Sequence, residues 1–459
     1  MESNLIEKIK KYDCAGPRYT SYPPAPMFSP EFGPDEYKKA IIAAETSAPH
    51  QNLSLYFHIP FCDTLCYFCG CTTVITRNHQ HFPEYLRNLK KEMDIVAPLM
   101  GKRRKVVQMH WGGGTPTYLS PSQITDLGQY IQDNFTFRPG AEVSVEIDPR
   151  DLVVDHMKAL KDVGFNRISL GVQDFDTRVQ QAVNRQQSEF ITQEAIDWTR
   201  KLGFTSLNLD LIYGLPLQTV QSFSSTLDKI IDISPDRIAI YNFAYVPWMK
   251  KHQSLIHVED LPSPETKVEI LTTTIDKLSS AGYVYIGMDH FAKPEDELTV
   301  AQRERTLHRN FQGYSTKAGS DMYGFGMSAI SHFGSSYAQN FKTLSEYYQA
   351  LEAGRLATRV GYRMSFDDEV RKFVIMRLMC HTILDKREVE NKFKINFVEY
   401  FADSLVKLNP LVQDGLIEDN GETLTVTDDG RLFLRNIALC FDAYASAVPR
   451  QQPLYSRTV

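Results

Sequence analysis

Scarcity says the most about this 459-residue chain at first. No unbroken apolar run reaches the ~18 residues that a membrane-crossing helix needs, so no membrane span is expected. The opening residues, MESNLIEKIKKYD, lack the apolar stretch of a secretory signal, which makes the cytoplasm the expected location. Basic charge is not in excess: 50 Lys and Arg against 56 Asp and Glu leave a net −6, no footprint for a nucleic acid or an anionic membrane. No repeat of about 20–50 residues and no low-complexity tract stands out. Cysteine is sparse and odd in number, at seven, so in a reducing compartment a disulfide framework is the weaker reading.

What is present is concentrated. The stretch FCDTLCYFCGC (61–71) holds Cys62, Cys66, Cys69 and Cys71 at spacing C-x3-C-x2-C-x-C, while Cys14, Cys380 and Cys440 are scattered. Three sites could use such a loop. Structural zinc normally draws on two separated C-x2-C knuckles, and no second pair exists. A ferredoxin-like cluster needs four thiolates, often one of them distant. A [4Fe-4S] cluster held by Cys62, Cys66 and Cys69 alone would leave one iron open. Cys71, separated from Cys69 by the single residue Gly70, can hardly reach the fourth corner. The spacing favours the open cluster, with zinc and a fully ligated cluster as alternatives. Phe61, Tyr67 and Phe68 would shield it.

From about residue 53 to 290, short β-branched and aromatic runs alternate with helix-length segments. The runs are LSLYFHI (53–59), KVVQMHW (105–111), AEVSVEI (141–147), NRISLGV (166–172), TSLNLDLIY (205–213), a run near 237–244 and YVYIG (283–287). Six or seven such units predict an α/β fold, a partial (βα)6-type TIM-like barrel. The unusual residues follow the strands: the cysteines after the first, GGGTPTY after the second, then DPR, QDF and GLP. That placement predicts one site assembled on the C-terminal rim. Residues 1–50 read as an N-terminal extension closing the cavity, 51–365 as the catalytic barrel and 366–459 as a mainly helical, winged-helix-like domain. The last has helical stretches and a hairpin turning at Asn420-Gly421. Residues 411–430 carry six carboxylates and no Lys or Arg, which argues for a lid or packing role and against DNA binding.

The cysteine spacing together with a glycine motif after the next strand resembles the radical S-adenosylmethionine (SAM) superfamily. GPRYTSYPP (16–24), YFHIPFC (56–62), HWGGGTPTYL (110–119), EIDPR (146–150), GFNRISLGVQDF (164–175), NLDLIYGLP (208–216), GMDHFA (287–292) and HRNFQGYST (308–316) resemble the oxygen-independent coproporphyrinogen III oxidase family. The resemblance implies oxidative decarboxylation of two propionates of coproporphyrinogen III to vinyl groups, giving protoporphyrinogen IX in haem biosynthesis. It implies that Cys62, Cys66 and Cys69 hold the cluster, and that SAM on the open iron meets Tyr56, Gly113, Glu146 and Ile330. A second SAM would meet Phe68, Gly114, Thr115, Gln173, Arg185, Asp210 and Ala244. Tyr56 and Cys71 are the catalytic candidates. Its other expectations are a monomer and an external donor such as flavodoxin or ferredoxin. A haem-chaperone relative is the alternative, but it tends to have phenylalanine where this chain has Cys71 and lacks a GPRYTSYP-like segment.

Residue chemistry agrees. Bare glycines at 112–114 let backbone approach a ligand, Glu146 and Asp210 suit ammonium or ribose hydroxyls, and Arg185 can pair with a SAM carboxylate. Four propionates also need donors, for which Arg18, Tyr19, His308 and Arg309 are the candidates.

Overall fold

The computed structural model describes residues 2–101, 103–445 and 455–458. Six strands run parallel in chain order: β1 (Leu53–Ile59), β2 (Val106–Gly113), β3 (Phe137–Ile147), β4 (Arg167–Gln173), β5 (Ser206–Tyr213) and β6 (Arg237–Asn242). Helices such as His81–Val96, Pro121–Asn134 and Val220–Ile233 return the chain between them. Ser120 caps the second of these through Gln123 and Thr219 caps the third through Ser222, so local signals start the helices where the strands end.

Beyond the six, the sheet departs from the simple series. YVYIG does form a strand, β7 (Val284–Gly287), but as an edge: it pairs antiparallel with β8 (His290–Ala292), which pairs antiparallel with β6. The seventh parallel position is taken on the other side of β1 by β9 (Asp321–Phe325). Its sequence, DMYGF, is five residues with a central glycine, too short and interrupted to signal a buried strand. Strands β10 (Ile330–Phe333), β11 (Ser336–Asn340) and β12 (Thr358–Arg363) continue antiparallel, giving the order β12-β11-β10-β9-β1-β2-β3-β4-β5-β6-β8-β7. With β12 and β7 at its two edges, the sheet is a partial, open barrel.

Alternation along the strands decides what the barrel encloses. Val143, Val145 and Ile147 of β3 and Leu207, Leu209 and Leu211 of β5 are buried in the apolar layer beneath the helices. The intervening Glu142, Ser144, Glu146, Asn208 and Asp210 line a chamber. In register, Tyr56 sits beside His110, His110 beside Ser144, and Ser144 beside Arg167. A period of two with one polar face produces a chamber, where apolar side chains on both faces would have packed a solid core.

A second apolar core unites the C-terminal helices, chiefly Phe366–His381 and Ala402–Gln413, with Ile9, Tyr19 and Tyr22 of the N-terminal segment. The expected hairpin is there, Ile417–Asp419 with Thr423–Val426, and Asn420 and Gly421 lie at its turn. Among the described residues no helix is long and apolar enough to cross a membrane.

Candidate active site

The cysteine loop leaves β1 through Phe61–Cys62, which pairs with Val74–Ile75 and closes the loop at its base. Neighbouring segments fix its backbone. Lys250 Nζ donates to the Cys71 carbonyl at 2.9 Å, His252 Nε2 to that of Cys69 at 2.8 Å, and Gln253 Nε2 to that of Phe68 at 3.2 Å. Asn184 Nδ2 holds the Leu65 carbonyl and the Val183 carbonyl accepts the Tyr67 N–H, each at 2.9 Å. All seven cysteines are free thiols. Burial pushes Cys62 up to about 12, with Thr115 Oγ1 3.5 Å from its sulfur opposing. The Cys71 thiol hydrogen-bonds to Cys69, which draws Cys69 down to about 6 and raises Cys71 well above the usual thiol range. Within this pair Cys69 is the readier thiolate and Cys71 the partner favoured to keep the proton.

Two guanidiniums face Cys66: Arg150 and Arg185 each lie 3.7 Å from its sulfur. Both pair with Asp148, at 2.7 and 2.8 Å. Burial alone would raise Asp148, yet Arg185 and Arg150 hold it down at about 2. Arg185 also donates to the Gly171 carbonyl at 2.8 Å. Both terminal nitrogens are engaged, while its Nε is buried without a hydrogen-bond partner.

The glycine motif packs beneath the loop. Gly113 has φ +117, and a Cβ there would meet His58 at 2.6 Å; a Cβ on Gly114 would meet the Pro60 carbonyl at 2.6 Å. Gly113 N–H donates to Glu146 at 3.2 Å and His110 Nε2 lies 3.3 Å from the same carboxylate. Burial opposes ionisation of Glu146, but His110 and Gly113 hold it below the usual carboxylate range. Asp210 goes the other way: burial, with Glu146 near, lifts it to about 6 although Ser169 and Asn208 donate to it. His58, kept neutral by burial, donates from Nε2 to the Thr72 carbonyl at 2.8 Å, so its Nδ1 accepts from the Tyr56 hydroxyl at 2.9 Å.

Two cavities share this wall. A pocket of about 160 Å³ contains Cys62, Cys66, Cys69, Phe68, Gly113, Gly114, Thr115, Gln173 and Arg185. The chamber, about 660 Å³, is lined by Tyr56, Ile330, Arg18 and Arg309. Cys71, Glu146, Ser169 and Asp210 line both, so Cys71 is accessible onto the chamber. Three expected residues lie elsewhere. Tyr19 is buried against Asp442 at 2.9 Å, its hydroxyl turned into the second core. His308 opens onto a different pocket beside Lys372 and Arg377. Ala244 lines a neighbouring cavity of about 510 Å³ that shares Arg18 with the chamber, and the Gln253 amide that holds the Phe68 carbonyl also holds the Ala244 carbonyl at 3.1 Å.

The sequence reading passed over Arg167 and Arg237 in the chamber and Asp148 and Arg150 at the cysteines. Asp148 and Arg150 stood in the motif EIDPR; the other two had no signal beyond alternation. Arg237 grips Asp296 at 2.9 and 3.0 Å, while one of its terminal nitrogens is buried without a hydrogen bond, as is one of Arg309's.

A barrel rim carrying a C-x3-C-x2-C loop over a glycine cradle is the architecture of a radical SAM enzyme. Accordingly, residues 56–230 match the family model of the radical SAM superfamily and residues 364–433 that of the HemN C-terminal domain. An Escherichia coli (strain K12) relative named oxygen-independent coproporphyrinogen III oxidase is 47% identical over 98% of this chain and 97% of its own. A Synechocystis relative of that name is 46% identical over 99% and 97%. The solved structure of the Escherichia coli coproporphyrinogen III oxidase (HemN), described as a radical SAM enzyme, superposes with TM-score 0.91 at 46% identity, over 96% of this chain and 98% of that one. The chain belongs to the oxygen-independent coproporphyrinogen III oxidases. The haem-carrier alternative is not favoured.

Proposed function

We propose that this chain decarboxylates two propionates of coproporphyrinogen III to vinyl groups, as a cytoplasmic monomer using a three-cysteine [4Fe-4S] cluster and two SAM molecules. The observation carrying this reading is the shared wall of Cys71, Glu146, Ser169 and Asp210 between the cysteine pocket and a chamber bearing Arg18, Arg167, Arg237 and Arg309. The donor set fits the cofactors: three thiols on one loop, a cradle that any Cβ would fill, and an ionised Glu146 for an ammonium or hydroxyl.

Cys62, Cys66 and Cys69 would hold the cluster, and when bound it and SAM supply a carbon radical at the chamber wall. The protein's own part is positioning. Tyr56, Gly113, Glu146 and Ile330 would orient SAM on the open iron; Phe68, Gly114, Thr115, Gln173 and Asp210 would meet the second. Arg185 would meet it too, with a buried, unpartnered Nε in the same pocket, and Ala244 would meet it from the neighbouring cavity. Arg309 and Arg237 offer buried donors to propionates, where charge-assisted bonds are strongest. Arg18, paired with Asp289, closes the chamber from the N-terminal segment. Cys71 holds a proton at Sγ facing the substrate. Substrate deuterated at the propionate β-carbons tests this reading: deuterium should appear in 5′-deoxyadenosine, and unlabelled 5′-deoxyadenosine alongside vinyl product would refute it.

A further inference from the structure

The cysteine loop is held from outside by a segment whose surface has no use in the chemistry above. Residues 246–258, VPWMKKHQSLIHV, follow β6 and supply Lys250, His252 and Gln253 to the Cys71, Cys69 and Phe68 carbonyls. The outer face of the same segment is apolar. Of twelve large apolar side chains exposed among the described residues, Trp248, Met249, Leu255 and Val258 lie here, 40–58% exposed. Exposed Leu217 flanks them, its N–H bonding to the Asp260 carbonyl, and exposed Ile75 stands at the base of the cysteine loop, paired with Cys62. Half of these twelve groups therefore lie on the cysteine loop's base or on and beside the segment that holds it, where scattered single residues would need no explanation.

Charge points the same way. Between 246 and 258 there are two lysines and two histidines, with Glu259 and Asp260 directly after; Lys250 is turned onto the Cys71 carbonyl, which leaves Lys251 as the outward cation, in a chain of net charge −6. Lys251 is exposed and makes no ion pair within 4.0 Å among the described residues; Glu259, just past the segment, faces His257 at 3.7 Å. An acidic partner would be repelled by the molecule as a whole and attracted at this place. An apolar centre with a polar rim, here Lys251, His257, Glu259 and Asp260, is also how protein interfaces are built.

We propose that residues 246–258 are the docking face for the reductant, a small acidic protein carrying one electron. The proposal rests on the functional reading above. Its redox step is balanced: the carrier is oxidised by one electron and the cluster reduced by one, with no proton or bond exchanged. His252, bonded to the carbonyl of a cluster ligand, would put the docking face and the cluster in one continuous hydrogen-bonded unit.

The test uses cluster-loaded protein, reduced flavodoxin as the probe, and the double variant Lys251→Glu/Leu255→Ser, which changes only outward-facing side chains. The Kd for flavodoxin and the rate of cluster reduction, followed by stopped-flow absorbance and electron paramagnetic resonance, should each worsen about tenfold at low salt. Iron content and reduction by dithionite should stay unchanged. Unchanged flavodoxin Kd and rate would overturn the docking assignment, as would a variant impaired equally with dithionite. Failure of the unmutated protein to form vinyl product with dithionite, while flavodoxin still reduces it faster than the variant, would overturn the functional reading and support the docking face.

Discussion

Gly114→Ala isolates the part of the site that depends on backbone contact. The added Cβ would stand 2.6 Å from the Pro60 carbonyl carbon and oxygen and 2.7 Å from the Phe61 carbonyl oxygen, where ordinary contact begins at 3.4 Å. About 0.8 Å must give, and the atoms in the way are backbone leading directly into Cys62. Gly114 and Thr115 also donate to the Ile59 and Phe61 carbonyls at 2.8 Å, so the strain passes to both strands. Overpacking of this kind costs about 1–3 kcal/mol. A misplacement near 1 Å at a reacting centre costs on the order of 10²-fold in rate. The paired control is Gly70→Ala, inside the cysteine loop itself, where a Cβ meets nothing within 4 Å. Iron and sulfide are assayed after anaerobic reconstitution, with the thermal midpoint alongside. Gly114→Ala should lose most of its cluster and at least about 10²-fold in turnover, while Gly70→Ala loads normally. Equal loading of the two variants would refute the reasoning.

Asp148→Asn should destabilise by at least about 2 kcal/mol near neutral pH, because a carboxylate held at about 2 against an ordinary 3.8 stabilises the fold above pH 3.8 and loses that contribution as pH falls toward 2; thermal melts from pH 3 to 7 measure it. Asp210→Asn should do the opposite. A carboxyl raised to about 6 stabilises while protonated and loses that as pH climbs from about 4 to 6, so the variant's advantage over the natural protein should grow across that window, to an order of 2 kcal/mol. Arg309→Leu should raise KM for coproporphyrinogen about tenfold, the loss of one charged anchor, and leave SAM binding by calorimetry unchanged. Removing residues 1–30 takes the buried Tyr19 and Tyr22 out of the second core, so the truncated chain should melt several degrees lower as well as lose turnover; Arg18→Leu should lose turnover alone.

Much of this was legible in the sequence. The six parallel strands and the placing of chemistry after each followed from alternation and spacing, because βα units carry both signals locally. YVYIG looked like one more such unit, since an edge strand and a parallel one share the same composition; only pairing through β8 sets its direction. DMYGF was silent because its burial comes from neighbours distant in sequence. At the site, the cysteines and glycines announced themselves by spacing. Arg185 did not reveal that Asp148 and Gly171 already hold it, and Tyr19 did not reveal Asp442, a partner 423 residues away. The inward row of Gln108, His110, Glu142, Ser144, Glu146, Arg167 and Ser169 was a period-two signal in plain view that the chamber is polar.

Anaerobic turnover tests the central claim most directly. The protein is reconstituted with iron and sulfide, then given dithionite, SAM and coproporphyrinogen III, with products followed by chromatography and mass spectrometry. The account predicts protoporphyrinogen IX, with two CO2 and two 5′-deoxyadenosine for each porphyrinogen converted. SAM cleavage without decarboxylation, above all with haem bound tightly to the purified protein, would contradict it.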